Sequence, residues 1–98
     1  MTINKTKNDS VLTVALEGRL DTITAPELEA DLKKELEGVN ELIFDFEKLE
    51  YISSAGLRVL LSTQKIMNAR GGMKVTKVNE LVNEVFEVTG FADILTIE

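Results

Sequence analysis

The sequence predicts an α/β fold: a mixed, mostly parallel sheet of about four to five strands packed with three to four helices, in the order β-β-α-β-α-β-α-β. Three observations predict it. The first 18 residues alternate apolar and polar positions around a turn cluster, as a hairpin does. After them, short apolar runs alternate with longer segments of helical period, which calls for parallel strands joined by right-handed crossovers. Leu42-Ile43-Phe44-Asp45-Phe46 then leads within a few residues into Ser53-Ser54-Ala55-Gly56-Leu57, half of a βαβ unit.

The elements follow in order. Met1 to Lys7 suits an edge strand, and Asn8-Asp9-Ser10 is a turn cluster. Leu12, Val14 and Leu16 alternate with Val11, Thr13, Ala15 and Glu17, so residues 2–18 form the hairpin. Thr24 and Glu27 have the spacing of a capping box, with Pro26 in the first turn where its missing N–H costs nothing. Ala25, Leu28, Leu32, Leu36 and Val39 then form one apolar stripe, and Gly38 stops the helix. The polar face of this helix is not basic, which argues against a membrane-surface role.

Leu42 to Phe46 is a buried strand. From Ser54 to Arg70, Leu57, Leu60, Leu61, Gln64 and Met67 make one stripe and Val59, Thr63 and Ile66 a second, predicting a largely buried helix that Gly71-Gly72 ends. Met73 to Val78 is a strand. Asn79-Glu80 opens a third helix with Leu81, Val82, Val85, Phe86 and Val88 inward, Thr89-Gly90 stops it, and Ile94 to Ile97 is a last short strand.

Composition narrows the function. The 98 residues fit one domain, 1–98, able to bury roughly 65% of its unfolded surface. There is no cysteine and no histidine, so disulfides, thiolate metal sites, Ser-His-Asp chemistry and ordinary zinc ligation are excluded. Gly71-Gly72 lacks the Gly-Lys-Ser/Thr of a phosphate loop, and Glu47-Lys48-Leu49-Glu50 reads as a solvated loop. An enzyme has little room here, and no cofactor is expected. No run approaches the roughly 20 apolar residues of a membrane helix and no signal peptide opens the chain, so a cytoplasmic protein is expected. The net charge of −6 argues against nucleic acid and anionic lipid as partners.

The candidate site is the Ser53-Ser54 pair. Serine is a preferred N-cap, and one of the two hydroxyls is expected to satisfy a free amide of the helix start. If Ser53 caps, Ser54 takes the first helical position with its hydroxyl outward. A phosphate there would face the positive end of the helix dipole, and would add about −1.5 to −2 charge to a flat patch without disturbing the fold. Gly56 has two readings, close packing of the helix start or partner access. Asp21 is read as a turn or cap residue that could also bond the serine loop or help recruit a kinase's magnesium. Asp45, in mid-strand, is expected to face an edge or the loop because a buried charge needs a partner. A partner reading this surface would touch Asp21, Thr22, Ser53, Ala55, Gly56, Leu57 and Arg58.

The chain resembles the STAS-domain family, whose single-domain members are anti-sigma-factor antagonists. The resemblance rests on Gly18-Arg19-Leu20-Asp21, Leu42 to Phe46, Tyr51-Ile52-Ser53-Ser54-Ala55-Gly56-Leu57, Gly71-Gly72 and Val88-Thr89-Gly90-Phe91. It implies a STAS fold and a cycle. The unphosphorylated antagonist binds an anti-sigma factor that is also a serine kinase, releasing the sigma factor. The kinase then phosphorylates the antagonist, and a serine phosphatase resets it. A monomer or weak dimer is expected. Aligned on Gly56, the family's acceptor falls on Ser54 and the family's preceding Asp on Ser53, which leaves Ser53 as a rival acceptor. The alternative within the family is a non-phosphorylated adaptor subunit of a transport or scaffold complex.

Overall fold

A computed structural model describes all residues, Met1 to Glu98. Its sheet has the order β1-β2-β3-β4, formed by β1 (Thr2–Asn8), β2 (Val11–Leu20), β3 (Glu41–Ile52) and β4 (Met73–Thr76). β1 runs antiparallel to β2 from Thr2↔Glu17 to Asn8↔Val11. β2 and β3 are parallel, as are β3 and β4, with Leu12↔Leu42 and Phe44↔Val75 in register. The crossovers are α1 (Ala25–Glu35) and α2 (Ser54–Asn68), and α3 (Glu80–Thr89) follows β4.

One face of the sheet carries the core. Leu12, Val14 and Leu16 of β2, Leu42, Phe44 and Phe46 of β3, and Met73 and Val75 of β4 are buried beneath the helices. The alternate residues Thr13, Ala15, Ile43, Asp45, Lys74 and Thr76 stay half-buried on the uncovered face. This is the alternation expected of a sheet covered on one side. Asp45 settles there: Oδ1 accepts the Glu47 N–H at 3.0 Å and Oδ2 lies 3.8 Å from Lys77 Nζ.

β3 runs six residues beyond the predicted Phe46. Two irregularities explain why. The β2 register jumps from Ala15↔Asp45 to Glu17↔Lys48, and from Gly18↔Leu49 to Arg19↔Tyr51, so β3 carries an extra residue at each step. Each β-bulge resets the inward face, and the buried residues become Phe46, Leu49 and Ile52, three apart. A period of two cannot see past such a bulge. The last strand is likewise different: Phe91–Asp93 is a 3₁₀ turn, and Ile97 makes only a single parallel bridge to Val75.

The α1 stripe is buried as predicted, Ala25, Leu28, Leu32, Leu36 and Val39 all lying in the core. α3 differs from expectation. Val82 and Phe86 are buried, whereas Leu81 and Val88 are 53% and 77% exposed. α3 rests on β3 and the 3₁₀ turn through Val82 and Phe86, with Val85 partly buried beside them, and this narrow stripe leaves Leu81 and Val88 in solvent. On α2, Ile66 is also exposed. Gly71 serves less as a helix stop than as a clearance: α2 ends at Asn68, and a Cβ on Gly71 would collide with the Asn40 carbonyl.

Candidate functional site

The two loops that leave the C-terminal ends of β2 and β3 lie side by side, because Leu20 pairs with Ile52 at the end of the parallel ladder. The Ser53 N–H extends that ladder by donating to the Leu20 carbonyl at 2.9 Å. In parallel sheets this edge is where side chains for binding collect.

The first loop is built by Asp21. Its Oδ1 accepts the N–H groups of Ile23 at 3.0 Å and Thr24 at 3.1 Å. The Thr24 hydroxyl donates to the Arg19 carbonyl at 2.8 Å and accepts the Asp21 N–H at 2.9 Å. Thr24 is therefore helical in φ and ψ and makes no side-chain cap, so the predicted capping box with Glu27 does not form. Asp21 takes over because its carboxylate, three residues earlier, already reaches the free amides. The Thr24 amide holds the Asp21 carboxyl below the usual aspartate range, with help from the Ile23 amide, the Thr24 hydroxyl and Arg19, against the opposing effect of burial. The Asp21 carboxylate makes no hydrogen bond to the serine loop. Arg19 lies 3.9 Å from Asp21 and 4.4 Å over the Tyr51 ring centroid, a cation–π stack.

The second loop is the start of α2. Ser53 is the N-cap in extended conformation, and its Oγ accepts the Gly56 N–H at 3.5 Å. Ser54 is the first helical residue and is exposed. Ala55 is half-buried, Arg58 is exposed, and Gly56 and Leu57 are buried. Between the two readings of Gly56, packing holds: a Cβ there would stand 2.7 Å from Leu20 Cγ and 2.9 Å from Ile52 Cγ1. Gly56 and Leu57 thus support the surface and offer it no contact atoms of their own.

Thr22, Ala25, Pro26, Glu29, Ala55, Arg58 and Val59 line a shallow cleft of about 220 Å³ between the starts of α1 and α2. It unites Thr22, Ala55 and Arg58, three of the residues expected to meet a partner. The largest groove, about 280 Å³ between α1 and α2, shares Glu29 and Val59 with this cleft but runs toward Arg70 and contains none of the expected residues. Sequence reasoning missed Ile23, which is 86% exposed beside Asp21. Its one signal is an isoleucine standing in a polar turn outside every apolar stripe.

The arrangement offers no paired acid and base and no cluster of metal ligands. What it presents is an exposed hydroxyl at the first residue of α2, an exposed isoleucine on the adjoining loop and an exposed arginine one turn along the helix.

The STAS domain family profile matches residues 2–98. BtrV of Bordetella bronchiseptica, a candidate anti-sigma factor antagonist, is 34% identical over 99% of this chain and 85% of its own length. The anti-sigma-B factor antagonist of Staphylococcus aureus is 28% identical over 99% of this chain and 92% of its own. SpoIIAA, an anti-sigma factor antagonist and cell fate determinant of Bacillus, has solved structures in two forms. The unphosphorylated form superposes with a TM-score of 0.85 at 19% identity, covering 99% of this chain and 88% of that one. The phosphorylated form superposes with a TM-score of 0.76 at 18% identity, covering 99% and 91%. These last similarities are similarities of fold.

Proposed function

The chain belongs to the STAS domain family, and on that premise we propose that it is an anti-sigma-factor antagonist switched by phosphorylation of Ser54. Unmodified, it binds an anti-sigma factor with serine kinase activity and so frees the sigma factor. The kinase transfers a phosphoryl group from its nucleoside triphosphate to Ser54 Oγ, which gives up its proton. The phosphorylated domain leaves, and a serine phosphatase restores the hydroxyl by hydrolysis.

One observation carries the reading. Ser53 supplies the cap of α2, so the Ser54 hydroxyl is exposed at the first helical position with no structural duty among the protein's hydrogen bonds. The rival Ser53 holds its Oγ toward the Gly56 N–H and is only partly exposed. A dianion at the first turn faces the positive end of the helix, so the fold tolerates it. A partner packed against the same corner does not: an unpaired charge in a close interface costs several kcal/mol, more than about a hundredfold in affinity.

Intact-mass analysis of the protein from its native cells, with site localisation, tests the modification: a gain of about 80 Da on Ser54 is expected. Affinity capture with the wild type and with Ser54→Asp tests the consequence. The wild type should retain a kinase that the Asp form loses, while the circular dichroism spectra match. Equal retention refutes the switch, and a stoichiometric complex with no phosphorylated form makes the domain a constitutive adaptor.

A further inference from the structure

The protein has three arginines, and two of them are engaged. Arg19 stacks on Tyr51 and approaches Asp21. Arg70 donates to the Leu36 and Val39 carbonyls at the end of α1. Arg58 is exposed, and it makes no hydrogen bond, no ion pair and no aromatic contact. It lines the cleft beside Thr22, Pro26 and Ala55, and Glu29 across that cleft does not pair with it. In a chain of net charge −6, an unengaged guanidinium on the candidate binding corner is a local exception.

Its position relative to Ser54 is set by the helix. Residues four apart lie on one face with Cβ atoms about 5–6 Å apart. Helical side chains lean toward the N-terminus, over the preceding turn. By that geometry the Arg58 side chain can reach back to a group on Ser54, and an acceptor N-terminal to a cation at this spacing is the favourable orientation. A guanidinium presents two parallel N–H donors, which match two oxygens of a phosphate.

We infer that Arg58 is the residue that receives the phosphate on Ser54, so that modification both adds negative charge to the corner and withdraws the one free arginine from it. The inference rests on Ser54 being the acceptor, and it names how the switch works. Phosphate adds about −1.5 to −2 charge. Pairing adds nothing to that change in net charge, but it turns the Arg58 N–H donors onto the phosphate and so withdraws them from a partner. A partner suited to the unmodified corner presents a carboxylate to Arg58. The same carboxylate is repelled once the phosphate has taken that place.

The test uses full-length protein with phosphoserine installed at position 54 by genetic incorporation, so its outcome does not depend on whether a kinase acts in cells. Phosphorus NMR titrations compare wild type, Arg58→Gln and Arg58→Lys. Pairing favours the dianion, so the second phosphate pKa should be lower in the wild type than in Arg58→Gln by about 0.15–0.4 unit at low salt, with Arg58→Lys between them. Nitrogen NMR should show the Arg58 Nε–H shifted on phosphorylation while those of Arg19 and Arg70 stay in place. Identical titration curves in all three proteins, or an Arg58 resonance that does not respond, overturns the inference. The Ser54 switch would then still be judged by intact mass and capture.

Discussion

Replacing Gly56 with alanine tests the packing beneath the site. The added methyl would stand 2.7 Å from Leu20 Cγ, 2.9 Å from Ile52 Cγ1 and 3.0 Å from Leu20 Cδ2. Carbon contacts are optimal near 3.5–4.0 Å, so the methyl arrives about 0.8 Å too close to Leu20. Leu20 is 0% and Ile52 2% exposed, so neither has room to turn aside. The start of α2 must lift instead, and overpacking of this kind costs about 1–3 kcal/mol. Alanine returns up to about 1 kcal/mol of helix propensity over glycine. Taking the middle of the overpacking range, about 2 kcal/mol, the balance is a loss of about 1–2 kcal/mol. For a domain of this size that is a melting temperature lower by about 5–15 °C. In urea the midpoint should fall by about 1 M at unchanged slope. The amide resonances of Ser53 to Leu57 should move together, since the Ser53 Oγ to Gly56 N–H bond spans the displaced turn. A midpoint equal to or above that of the wild type would show that Leu20 and Ile52 do not hold the helix start as described.

Asn79→Ala should cost about 1–3 kcal/mol in the same urea assay, because Asn79 both caps α3 at the Val82 N–H (2.8 Å) and donates to the Leu49 carbonyl (2.7 Å). Asn79→Asp, which keeps the cap but not the donation, should recover part of that loss. Asp21→Asn should remove an acid-limb dependence. The folded Asp21 carboxyl titrates below its unfolded value, so its contribution is complete above the ordinary aspartate pKa of about 3.9 and is lost as pH falls through the lowered folded pKa. Urea midpoints of wild type and Asp21→Asn should therefore differ at neutral pH and converge in acid; a constant gap would contradict the assignment. Ile23→Ser should leave the melting temperature unchanged, because the side chain is in solvent, and should weaken capture of the kinase by tenfold or more if Ile23 fills an apolar pocket on it, about the cost of one interface anchor.

Much of this protein is legible from local pattern. The alternation of Leu12, Val14 and Leu16, the α1 stripe and the Asn79 and Gly90 ends of α3 each depend on neighbours in the chain, and each stands where the pattern puts it. The Ser53 cap and the exposed Ser54 are of the same kind, since a helix start and its capping residue lie within four positions. The misreadings share another cause. Leu81 and Val88 have the spacing of buried residues, but α3 meets the core along a narrower line than its apolar content suggests.

Local periodicity and capping chemistry place β1, β2 and the three helices and put a serine cap at the start of α2, and if Ser53 is that cap they turn Ser54 outward. Three features escape that description: the bulges that carry β3 to Ile52, the lack of space around Gly56, and Arg58 left without a partner while Arg19 and Arg70 have theirs. Each depends on which groups from distant parts of the chain come within a few ångströms of one another, and packing settles that by disfavouring arrangements in which buried atoms overlap or buried polar groups go unpaired.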